Sequence, residues 1–169
     1  MKKVLIFLLC VSLLLVFSTS GDEKIIIPTS AIRYRIIANS NNIEDQGEKL
    51  LIQTQIDPVI EEILNNSESI EDSRKNIIKS IPKIENIVGR YNDDFEVNYG
   101  LNYFPEKNYK GVSYNAGNYE SLVITLGEGL GENWWCVLFP PLCLLEAKED
   151  SLDEMTYSFY IKDVINRFY

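Results

Sequence analysis

Phe95-Glu96-Val97-Asn98-Tyr99-Gly100-Leu101-Asn102-Tyr103 places an apolar or aromatic residue at every second position. Successive side chains of a strand point to opposite faces, so this period of two predicts a half-buried β-strand, ended by Pro105. The stretch decides the fold class because the sequence before it is helical in pattern. Leu51, Ile52, Ile56, Val59, Ile60, Ile63 and Leu64 recur at helical spacing, and so do Ile70, Ile77, Ile78, Ile81, Ile84, Ile87, Val88 and Tyr91. Asn42 ahead of Asp45, and Ser69 ahead of Asp72, predict the two N-caps, with an acid in each first turn. Pro58 and Pro82 fall inside these patterns and predict a kink, or at Asp57 a second cap, because proline lacks the N–H and clashes with the preceding turn.

Working outward, Ile32, Tyr34 and Ile36 alternate with Arg33 and Arg35, which reads as a strand with a solvated second face. Residues 106–118 are rich in Tyr, Gly and Asn and read as a long loop; Leu122 to Leu126 reads as a further strand. Tyr157, Phe159 and Ile161 alternate as a last strand, and Val164, Ile165 and Phe168 suit a short closing helix. A strand, two helices and then several strands make an α+β fold: a single domain over 31–169, with two or three helices packed on one face of a mainly antiparallel sheet.

The N-terminus reads as an export signal or an N-terminal membrane anchor over 1–20. Lys2 and Lys3 precede an apolar run from Val4 to Phe17, short for a membrane span, and Ser18-Thr19-Ser20 supplies a small, polar cleavage region. Residues 21–30 read as a short tether. The chain carries 16 basic and 25 acidic residues; removing 1–20 takes away two basic and no acidic ones, and the net charge moves from −9 to −11. Nucleic acid is therefore not an expected partner, since phosphate binding depends on Lys and Arg. Histidine is absent, which excludes Ser-His and Cys-His nucleophilic pairs and every zinc site that uses imidazole. No metal or cofactor is expected.

Gly127-Glu128-Gly129-Leu130-Gly131-Glu132-Asn133-Trp134-Trp135-Cys136-Val137-Leu138-Phe139-Pro140-Pro141-Leu142-Cys143 holds both Trp of the protein, a Pro pair and two of its three Cys. Gly127, Gly129 and Gly131 permit backbone conformations closed to other residues, and Pro140 and Pro141 fix φ and remove two donors. The segment thus reads as a shaped turn with little sheet ladder. A phosphate loop does not fit, because Glu128 and Glu132 flank the glycines and no Lys follows. Glu128 and Glu132, with Glu120 upstream, are the residues of the alternative reading, a cell-wall glycan hydrolase acting through two carboxylates, with a Trp as sugar platform. Cys136 and Cys143 are spaced for a disulfide in an exported chain, which would contribute about 2 to 3 kcal/mol; two small buried thiols fit the same spacing.

Three stretches together resemble the stage II sporulation protein R family: Ala31 to Ser40 with Glu44-Asp45-Gln46, then Tyr114-Asn115-Ala116-Gly117-Asn118-Tyr119-Glu120-Ser121-Leu122, and Gly127 to Cys143, above all Asn133-Trp134-Trp135-Cys136-Val137-Leu138-Phe139-Pro140-Pro141-Leu142-Cys143. The resemblance implies a sporulation signal of endospore-forming Firmicutes. Such a protein is made in the forespore and exported into the space between the two membranes. There it activates a membrane-embedded aspartic protease of the mother cell, which processes the sigma-E precursor. An activator carries no catalytic residues of its own, and its membrane contact is limited to the N-terminal segment if that stays uncleaved. Trp134, Trp135 and Phe139, with Glu128 and Asn133, are the expected contact residues, on the argument that aromatic anchors concentrate binding energy.

Overall fold

The period-two stretch forms the long strand β3 (Phe95–Phe104), at one edge of a four-stranded sheet. The computed structural model describes residues 25–109, 112–143 and 154–169; the expected export segment at 1–20 lies outside them. In chain order, β1 (Ile25–Ile26) and β2 (Ile32–Ile37) precede helices α1 (Ile43–Asn65) and α2 (Ile70–Val88). After β3 come β4 (Lys107–Tyr109), β5 (Val112–Tyr114), β6 (Gly117–Leu126), β7 (Asn133–Phe139) and α3 (Glu154–Phe168). The large sheet has the order β3-β6-β2-β7, and a small sheet has the order β1-β5-β4.

The chain is one α+β domain, but its sheets are mixed. At the centre of the large sheet β2 runs parallel to β6, flanked by antiparallel β7 and β3. A parallel pair needs a crossover, and α1, α2 and β3 lie between β2 and β6 in the chain. Both expected caps form: Asn42 Oδ1 accepts from the Asp45 amide at 2.7 Å and Ser69 Oγ from the Asp72 amide at 3.1 Å. Neither proline breaks its helix. Each removes the partner of the carbonyl four residues earlier, at Thr54 and Ile78, and both of those residues are exposed, so water can take the bond.

Two cores flank the sheet. On one face α1 and α2 pack Ile52, Ile56, Ile63, Ile77 and Ile84 against Tyr34, Ile36, Leu122 and Ile124. On the other, Val137 and Trp135 meet Ile27, Val112, Tyr114, Tyr157 and Ile161 from β5, α3 and the first described residues. Three expectations are corrected here. The Tyr- and Gly-rich loop contains the β4–β5 hairpin; residues 25–30, expected within the tether, are tied in by β1 pairing with β5 and by buried Ile27. The last strand and short helix are one helix, α3. Tyr157 and Ile161, four apart, satisfy either period, and it is the continuation through Val164, Ile165 and Phe168 that selects the helical one.

Candidate functional site

Because β2 and β6 are parallel, their C-terminal ends lie side by side, and the turns that follow them, 38–42 and 127–132, pack together. Gly127 has a φ of 53°, in the left-handed region that favours glycine, and a side chain there would run into Asn39. A Cβ on Gly131 would strike the Ser40 carbonyl. Gly129 shares the turn. The two turns are laced by hydrogen bonds: the Glu128 amide donates to Asn39 Oδ1 (3.0 Å), the Gly131 amide to the Ala38 carbonyl (2.9 Å) and the Glu132 amide to Asn41 Oδ1 (2.6 Å). Asn39 Nδ2 in turn donates to Asp45 Oδ2 at 3.0 Å. Hydrogen bonds from Ser40, then Asn39 and Asn42, hold the Asp45 carboxyl below its ordinary range. From α1, Lys49 Nζ donates to the Glu132 carbonyl at 2.9 Å.

Asn39 and Asn41 are the residues that sequence reasoning missed here, since the Asn39-Ser40-Asn41-Asn42 run reads only as a break and a cap. The available hint is that Asn side chains mimic backbone partners in turns. Glu128 and Glu132 have exposed side chains, and what binds them into the turn is their backbone. Glu120, the third acid of the hydrolase reading, is taken by Arg74, whose Nε and Nη2 reach its carboxylate at 2.9 to 3.0 Å, and by the Tyr99 hydroxyl at 2.6 Å. Hydrogen bonding to Arg74, then to Tyr99, lowers the Glu120 pKa, while burial and Glu120 push the Tyr99 hydroxyl up. Among the described residues no group of three or more Cys, Asp or Glu is placed to hold a metal ion.

From the turn the chain enters β7, so the segment expected to lack a ladder is a strand, paired with β2 from Asn133 opposite Ile37 to Phe139 opposite Ile32. Strand alternation sends the two Trp to opposite faces. Half-buried Trp134 meets Tyr34 edge-on at 5.5 Å, on the helix side. Half-buried Trp135 meets Tyr114 at 4.7 Å and Phe104 at 6.2 Å on the other side. A register shift opposite Ile32 and Arg33 turns Phe139 back to the helix side, where it is 4% exposed and lies 5.1 Å from Phe168. Trp134, Trp135 and Phe139 therefore do not form one exposed patch. Of the five expected contact residues, only Glu128 and Asn133 are exposed.

Cys136 and Cys143 form a disulfide, their Cα atoms 5.3 Å apart, around the cis Phe139–Pro140 peptide; Pro140 is buried and Pro141 half-buried. On the Trp135 face, Arg33 is 0% exposed, contrary to a solvated strand face. Its guanidinium carbon stacks 3.4 Å from the Tyr119 ring and lies 5.1 to 5.9 Å from Phe104, Trp135 and Tyr114. Among the described residues its one hydrogen bond goes to the Asn115 carbonyl at 3.4 Å, and its Nε and Nη1 have no acceptor. Ring faces attract the cation in place of a carboxylate, and burial lowers the Arg33 pKa against the opposing effect of Tyr119 and Tyr114.

The three stretches that carried the resemblance thus meet in space: β2 with its turn, the 114–122 segment, and the glycine turn with β7. A family model described as stage II sporulation protein R matches residues 28–149. The chain belongs to the stage II sporulation protein R family. A curated relative, the Stage II sporulation protein R of Bacillus subtilis (strain 168), is 40% identical over 133 residues, 75% of this chain and 59% of the relative. The chain thus matches less than two thirds of that relative's length. No solved structure matches the chain. The family match covers β2, both turns, the Arg33 cage and the disulfide together.

Proposed function

We propose that this member of the stage II sporulation protein R family is an exported signal. It acts between forespore and mother cell by activating a membrane-embedded aspartic protease that processes the sigma-E precursor. Family membership over 28–149 is the observation that carries the reading. The site is consistent with recognition rather than chemistry: the polar groups at the end of the parallel pair are spent on backbone and on one another, and exposed Glu128 and Glu132 lie there beside exposed Asn133. Activation then follows if this rigid surface binds the active arrangement of the protease better than the inactive one.

The test is co-expression of the full chain, the protease and a tagged sigma-E precursor in a host that lacks all three. Processing that requires both chain and protease supports the reading. Processing without the chain, or none with it, rules the reading out.

A further inference from the structure

Strand β3 ends the four-stranded sheet, and among the described residues no strand pairs with its outer side. An edge strand presents a row of unpaired N–H and C=O groups, which folded proteins blunt with Lys, Pro, bulges or short length. None of these protects β3. It pairs with β6 at ten consecutive positions without a register shift, and its sequence holds no Pro, Lys or Arg and one charge, Glu96. It also carries the most exposed apolar side chains of the sheet, Leu101 at 78% and Tyr103 at 61%. Both lie on the face where the helix layer covers Val97 and Tyr99 but extends no further.

We propose that a second copy of the chain completes this edge, β3 running antiparallel to its own equivalent about a two-fold axis at Gly100. The axis sets each residue opposite the one equally far beyond Gly100: Tyr99 against Leu101, Val97 against Tyr103 and Asn98 against Asn102. Each exposed apolar side chain then gains an apolar cross-strand partner on its own face, and the two Asn amides meet on the other. Glu96 falls opposite Phe104, so no like charges oppose each other in the ladder. A slip of one residue sets Leu101 against Asn98 and joins the helix-covered face of one copy to the opposite face of the other. A shift of the axis to Tyr99 leaves Asn98 against Gly100. The contact is isologous and closes at two copies, giving one continuous sheet with the helix layers on the same side.

The full chain, carried in detergent because of its apolar N-terminal run, is examined by sedimentation velocity over a range of concentrations. A reversible dimer is expected, and Leu101→Lys or Tyr103→Lys, at exposed positions, should raise its dissociation constant roughly tenfold or more. The N-terminal run is common to all variants, so the difference reports the strand edge. Register is read by oxidative cross-linking: an equimolar mixture of Asn98→Cys and Asn102→Cys chains should give covalent dimers well above either variant alone and above the parent chain. A chain that stays monomeric, a dimer indifferent to both lysine substitutions, or equal cross-linking by single variants and mixture overturns the proposal.

Discussion

Lys49 is the one cation of α1, and it is 6% exposed, its ammonium bonded to Gln46 Oε1 at 2.6 Å and to the Glu132 carbonyl. Burial pulls its pKa down and Glu132 pushes it back up. Lys49→Met keeps the apolar stem but leaves the Glu132 carbonyl without this donor, and it should cost about 1.5 to 3 kcal/mol, measured by urea unfolding at unchanged slope. Arg33 is a different case, because among the described residues no carboxylate would be orphaned by its removal. Arg33→Met should leave the melting temperature unchanged or raise it, whereas Arg33→Ala empties the ring cage and should cost roughly 2 to 5 kcal/mol. Glu120 and Asp45 both have pKa values lowered by folding. Their contribution is therefore complete above the ordinary carboxylate range of about 4 and is lost as the pH falls through their folded values. Glu120→Gln should flatten the acid limb of a melting-temperature profile; an unchanged limb would show that the Arg74 pair carries none of it. The settings of Lys49 and Arg33 were not legible in the sequence, since burial of a Lys or Arg depends on what packs over it, whereas Asp45 beside the Asn42 cap was.

At the scale of elements, the helices and their caps were readable because each rests on contacts three or four residues apart. The last turn of β6 into β7 was readable only as a shape. Gly131→Ala would push a Cβ into the Ser40 carbonyl, a backbone atom that has no side chain to swing aside, so a loss of about 2 kcal/mol or more is expected on chemical unfolding. Reducing the Cys136–Cys143 bridge should cost about 2 to 3 kcal/mol, seen as a lower melting temperature with reductant. Strand β7 itself was hidden by its composition. Trp134, Cys136 and Leu138 line one face and Trp135 and Val137 the other, an alternation that glycines before it and prolines after it obscured. In β3 the alternation was visible, yet it does not mean burial throughout: Leu101 and Tyr103 keep the period and lie beyond the helices.

For the whole molecule, the proposed function makes the exposed end of the parallel pair the surface to test for contact with a protease. Glu128→Lys and Asn133→Lys should reduce precursor processing in co-expressing cells with melting unchanged, while Trp134→Ala should reduce stability first, since Trp134 packs on Tyr34. Sequence by itself determined the α+β class, both long helices with their caps, strands β2 and β3 and family membership, because these rest on local periodicity and on unusual strings of residues. Only the tertiary structure decided the parallel pairing of β2 with β6, residues 88 apart in the chain at every register position. That pairing draws Asn39 and Asn41 onto the glycine turn. Packing on both faces of the sheet likewise decided that Arg33 is caged rather than solvated, and that the two adjacent Trp serve separate cores. Such outcomes depend on which distant surfaces meet, and no local spacing encodes that.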